Sequence, residues 1–159
     1  MENKISFFGK EYAVDDAIKK MNGHLSWFFW IAGLSLINLI YAILDQDYFM
    51  VAGLGLDSVL AGYISTSEEQ FNSIQLYLGF AFVAFFLVSG CLARTNNIFA
   101  VGIATAIYAV DTVIFATYYF DFVSLLFHLW ATVSLIIGGV LMSKLNRVSQ
   151  PGEAAGEAT

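Results

Sequence analysis

Ile98–Phe120 reads IFAVGIATAIYAVDTVIFATYYF, an unbroken apolar run with a single carboxylate, Asp111, past its middle. As a helix rising ~1.5 Å per residue, the run crosses the ~30 Å hydrocarbon core of a bilayer. A charge at that depth costs ~2.5 kcal/mol or more on insertion scales, so Asp111 is expected to face the inside of a helical bundle, paired or protonated. Fold class and chemistry both turn on this segment.

Three further runs of similar length flank it: His24–Leu44, Ile74–Ala93 and Phe122–Met142. Together the four predict an all-α membrane protein, a four-transmembrane-helix bundle. The seven basic residues are Lys4, Lys10, Lys19, Lys20, Arg94, Lys144 and Arg147. An in-out-in-out-in path with a cytoplasmic N-terminus puts all of them inside, and leaves Asp45, Asp47, Asp57, Glu68, Glu69 and Asp121 outside. N and C termini are therefore expected in the cytoplasm, and the protein in a cytoplasmic (inner) membrane as a multi-pass chain. Trp27 and Trp30 near the inner boundary, and Tyr41, Tyr48, Tyr118 and Tyr119 near the outer one, fit the preference of amphipathic rings for the head-group level.

Composition agrees. A chain of 159 residues that is 58% hydrophobic and only 13% charged lacks the polar surface of an ordinary soluble domain. The net charge of −6 is sorted by side and is read as topology rather than as the mark of a cationic partner. The lone Cys91 cannot form an internal disulfide and reads as a buried, inert thiol.

The organisation expected is a cytoplasmic segment over residues 1–23, a membrane domain over 24–142 with an outer loop at 45–73, and a mostly disordered cytoplasmic tail over 143–159. Glu11 to Met21 can form a surface helix or serve as a solvated lead-in to the first span, and Asn22-Gly23 then punctuates the approach to the membrane. Within the outer loop, Tyr48 to Ile64 is apolar. A fifth span there would invert everything after it and split the bases four inside to three outside, so it is rejected. Ala52, Leu56, Val59, Leu60 and Tyr63 at helical spacing favour an extra interfacial or re-entrant helix over the bundle's outer end. Gly102, Ala106 and Ala109, Gly79 and Ala84, and Ser134 and Gly138 mark surfaces where helices approach closely.

Counting from the inner ends places Asn38, Asp111 and His128 in one intramembrane polar layer. Tyr108 and Thr112 flank Asp111, and Ser124 and Thr132 lie one turn either side of His128. Two readings compete for the layer. It is a proton or ion relay, or it is a hydrogen-bonded lock between helices. The lock is preferred because nothing continues the relay inward: helix two offers only Ser89, and the inner half of helix four only Thr132 and Ser134.

Tyr108-x-x-Asp111, the Asp121 turn and Phe127-His128, after a Gly53-x-Gly55 loop, resemble a pattern found in small uncharacterised bacterial four-span membrane proteins. The resemblance implies a bacterial membrane setting and no activity, cofactor or substrate.

Several chemistries lack their residues. His24 and His128 lie at different depths and cannot share a haem. Asp111 and His128 supply two ligands where a tight metal site takes three or four. Disulfide exchange needs a cysteine pair. Ser124 is poorly placed for a serine hydrolase, no lysine lies within a span, and Gly53-Leu54-Gly55 lacks the rest of a nucleotide fingerprint. No catalytic residue, cofactor or nucleic-acid partner is expected. The expectation is a non-enzymatic accessory subunit of a membrane assembly, partnered by lipid and by copies of itself or other membrane subunits. The alternatives are a proton- or ion-translocating oligomer using Asp111 and His128, and a lipid- or quinone-binding protein using Phe80, Phe82, Phe85 and Phe86.

Overall fold

The computed structural model describes residues 4–44, 55, 56, 59, 60, 68–118 and 122–148. Expectations for the tail beyond 148, the Asp121 turn and most of the 45–67 loop lie outside these residues. The chain is mostly helical: α1 (Val14–Leu25), α2 (Trp27–Ile43), α3 (Glu68–Arg94), α4 (Ile98–Tyr118) and α5 (Phe122–Val148) follow a short hairpin of β1 (Lys4–Phe7) and β2 (Lys10–Ala13). Four helical stretches are long and apolar enough to cross a membrane: Val14–Tyr41, Asn72–Arg94, Ile98–Thr117 and Phe122–Val148.

The N-terminal segment departs from expectation. Instead of a helix from Glu11, residues 4–13 pair as an antiparallel hairpin with Phe7 opposite Lys10. Alternation of Lys4, Ile5, Ser6 and Phe7 explains it, because Ile5 and Phe7 are buried while their neighbours are exposed. Phe8 and Gly9 form the turn with φ of 47° and 74°, the left-handed pair of a two-residue hairpin. A phenylalanine is poorly suited to that conformation, and its side chain is 82% exposed, touching the edge of Phe7. Phe8→Asn is therefore expected to stabilise the hairpin by about 0.5 kcal/mol, seen as slower amide exchange across β1 and β2.

The helix that leads into the first apolar run begins earlier than His24, at Val14. Asn22-Gly23 lies inside α1, and only Ser26 interrupts the ladder, its N–H still donating to the Asn22 carbonyl and its hydroxyl to Gly23 O at 2.7 Å. A buried stripe of Ala17, Met21 and Leu25 faces α5. At the other end of the chain, Ser143–Val148 continues α5 rather than opening a tail. Leu145 is buried there, and Lys144 Nζ donates to Ser6 O at 2.8 Å, with its charge 5.5 Å from the Phe7 ring centre.

The helices pack α2 on α3, α3 on α4, α4 on α5, and α1 on α5, so the first span crosses from α5 to α3 along its length. Three glycines permit the close approaches. A Cβ at Gly138 would lie 2.7 Å from Leu25, one at Gly90 would lie 2.9 Å from the Phe29 ring, and one at Gly79 would strike Leu39. Gly102, expected to serve the same purpose, has nothing within 4 Å of such a Cβ and is exposed with Ala106 on the outer face of α4. Ala84 is exposed as well. Cys91 is exposed, not buried, because it shares the α3 face of Leu87, Val88 and Leu92. The centre is aromatic: Phe28, Phe86 and Tyr108 are fully buried, and the Phe86 ring contacts both of the others.

The turn from α3 to α4 matches its reading as a short connection. Asn96 takes a left-handed φ of 58°, and Asn97 Oδ1 accepts the Ala100 N–H at 3.1 Å, capping α4. The hairpin, α1 with Lys19 and Lys20, Arg94 and the end of α5 thus gather all seven bases at one end of the bundle.

Candidate anchoring site around Asp111 and His128

On α4, Tyr108, Asp111, Thr112 and Phe115 stand at i, i+3, i+4 and i+7, and all four are buried. Val110 and Val113 point the other way and are 53% and 63% exposed. Such spacing makes a hole bounded by four side chains, and His128 of α5 is the knob that fills it. Its imidazole lies between two nearly parallel rings. Phe115 is 4.5 Å away with an interplanar angle of 18°, and Tyr108 is 5.6 Å away at 5°. One turn further along α5, Thr132 Oγ1 meets Thr112 Oγ1 at 2.8 Å. Since Thr112 Oγ1 also donates to Tyr108 O at 2.9 Å, its one hydrogen is used there, and Thr132 is the donor between the two hydroxyls.

Asp111 faces two ways. Its Oδ1 accepts the backbone N–H of Gly55 at 2.9 Å and of Leu56 at 2.8 Å. Its Oδ2 lies 3.4 Å from His128 Nε2, with both side chains fully buried. The 55–56 backbone therefore reaches Asp111 seven residues inside the end of α4, roughly 10 Å at 1.5 Å per residue. Val59 N donates to Gly55 O at 3.2 Å, a bond of helical spacing. The contact sets residues 55 and 56 against a side chain that is itself fully buried.

The other ring nitrogen fixes the proton count. His128 Nδ1 lies 2.8 Å from Ser124 O, and a carbonyl oxygen only accepts, so Nδ1 carries hydrogen. A neutral ring would then turn the Nε2 lone pair toward Oδ2, lone pair against lone pair. One proton between them removes the conflict. The pair is imidazolium with carboxylate or imidazole with carboxylic acid, and in either form it is neutral overall, as a buried site requires. The Asp111–His128 contact is long for a hydrogen bond, and Oδ2 and the Tyr108 hydroxyl are buried without an aligned donor or acceptor among the described residues.

Of the five residues expected in the layer, Tyr108, Asp111, Thr112 and His128 come together. Asn38 is half-buried on α2, which packs on α3 and touches α5. Phe115 and the two backbone donors belong to the same contact and are not among the residues that side-chain type singles out. Phe115 was findable, since it completes the i, i+3, i+4, i+7 face. A backbone N–H carries no side-chain signal. The four phenylalanines of α3 do not form one face: Phe86 is fully buried, Phe82 and Phe85 are partly so, and Phe80 is 42% exposed. Among the described residues no group of three or more His, Cys, Asp or Glu is placed to hold a metal ion. No protein-family model, curated protein or solved structure matches the chain.

Proposed function

We propose that this chain is a multi-pass protein of a bacterial cytoplasmic membrane, with both termini inside, acting as a non-enzymatic interaction subunit. Its partner is a second copy or another membrane subunit. The observation that carries this reading is the pair of N–H bonds from Gly55 and Leu56 to Asp111 Oδ1. A buried carboxylate that accepts both backbone N–H groups of residues 55 and 56 holds those two residues in place, and a preorganised point of attachment is what a docking surface needs. The collection of seven bases at the opposite end supports the orientation.

The translocating reading is less well supported by the same atoms. Asp111 Oδ1 and His128 Nδ1 are engaged by backbone groups, and the remaining Oδ2 and Nε2 face each other. The test separates the two. In mild detergent and in native membranes, cross-linking is expected to trap an oligomer or a co-purifying subunit. Asp111→Ala should lose that assembly and Asp111→Asn should keep it. A strictly monomeric, partnerless protein refutes the proposal, and so does a proton flux in liposomes that Asp111→Asn abolishes.

A further inference from the structure

At the hairpin end, α1, the α3–α4 turn and the last turn of α5 enclose a cleft of about 170 Å³. Its floor is apolar, with Met21 and Leu145 buried beneath Val14 and Ile18. Its rim is Arg94, Asn22, Asn96 and Asn146, and no carboxylate lines it. Among the described residues no acidic group lies within ion-pair reach of Arg94. The guanidinium instead lies over the face of Phe29, 5.7 Å from its centre, which restrains the side chain without neutralising it. Asn146 Nδ2 reaches Asn96 O only at 3.5 Å, and the side-chain amides of Asn22 and Asn96 have no hydrogen bond among the described residues.

An uncompensated guanidinium beside three carboxamides is a donor set for an oxyanion. The place selects which one. The cleft lies where helices of membrane-spanning length end, and the apolar Ile18 of its lining is exposed. An apolar floor under a cationic, amide-rich rim at that level suits a group that is anionic at one end and hydrocarbon at the other. We infer that the cleft binds the phosphodiester headgroup of a membrane phospholipid, with Arg94 as its charge partner and Asn22, Asn96 and Asn146 as neutral donors. The site is at the opposite end of the bundle from Asp111 and does not depend on the proposed function.

The experiment uses the full chain in a mild detergent, with phosphatidylglycerol and inorganic phosphate as separate probes, followed by native mass spectrometry and thermal unfolding. Phosphatidylglycerol is expected to remain bound and to raise the unfolding temperature, and phosphate at equal concentration to do neither. Arg94→Gln should weaken lipid binding about tenfold. Asn146→Asp, which places a negative charge on the rim, should abolish it. Arg147→Gln, next to the cleft but outside its lining, should leave binding unchanged. Unfolding of each variant without lipid reports whether it is folded. Equal loss in Arg94→Gln and Arg147→Gln overturns the inference, since it would make the attraction diffuse rather than local. Protection by inorganic phosphate equal to that by lipid also overturns it, as does retention of no lipid by the parent chain.

Discussion

Asp111→Ala is expected to free the segment carrying Gly55 and Leu56 and to lower stability by about 3 kcal/mol, whereas Asp111→Asn is expected to change it by less than about 1 kcal/mol. Alanine leaves two buried N–H groups without an acceptor, each costing about 1–3 kcal/mol. Side-chain hydrogen bonds between spans average only ~0.6 kcal/mol, because unfolded spans find other partners within the membrane. The Gly55 and Leu56 donors differ, since both rest on one oxygen of a fully buried side chain and lose their acceptor together. The loss is therefore local undocking before it is global unfolding. Asparagine keeps an oxygen for both N–H groups and turns an NH2 toward His128 Nε2, which then accepts as a neutral imidazole with Nδ1–H still on Ser124 O. Hydrogen exchange at residues 55 and 56, together with thermal unfolding in detergent, checks both halves. Unchanged protection at those two amides in Asp111→Ala would show that the carboxylate is not what holds the segment.

The parts of this molecule legible in its sequence are those written in side-chain type at helical spacing. Asp111 in an apolar run, with Tyr108 and Thr112 on its face and His128 on the next helix, announces a buried polar contact. The four spans follow from hydropathy and length. The hairpin was readable in principle from the alternation of Lys4, Ile5, Ser6 and Phe7, but Phe8-Gly9 is not one of the favoured turn pairs, and a helical stripe just downstream drew the boundary too early. Asn22-Gly23 misled for a related reason. Glycine lowers helix propensity by only about 1 kcal/mol, which packing of Met21 and Leu25 on α5 overrides. Gly102 and Gly79 look alike in sequence, yet only one meets a neighbour. Which side of a helix is covered depends on the path of the first span across α5 and α3, and that path is set by tertiary packing. The anchoring of Gly55 and Leu56 was out of reach because backbone donors are the same at every residue.

His128→Ala should be the most damaging single change at the site, lowering stability by about 4 kcal/mol. It empties the hole between Tyr108 and Phe115, removing two stacked contacts and leaving a cavity that flanking rings on one helix cannot collapse to fill. If the pair is imidazolium with carboxylate, the substitution also strands a negative charge in the bundle. Adding Asp111→Asn to His128→Ala then removes that charge, and the double variant is expected to be more stable than His128→Ala alone by about 1–2 kcal/mol. A neutral pair makes the opposite forecast. A protonated Asp111 loses little when its partner goes, and the second substitution restores nothing. Thermal unfolding of the two single variants and the double variant measures the coupling directly. Rescue assigns the proton to His128 and makes Asp111 a charged anchor for the backbone of residues 55 and 56, while additivity assigns the proton to Asp111 and leaves the anchor neutral.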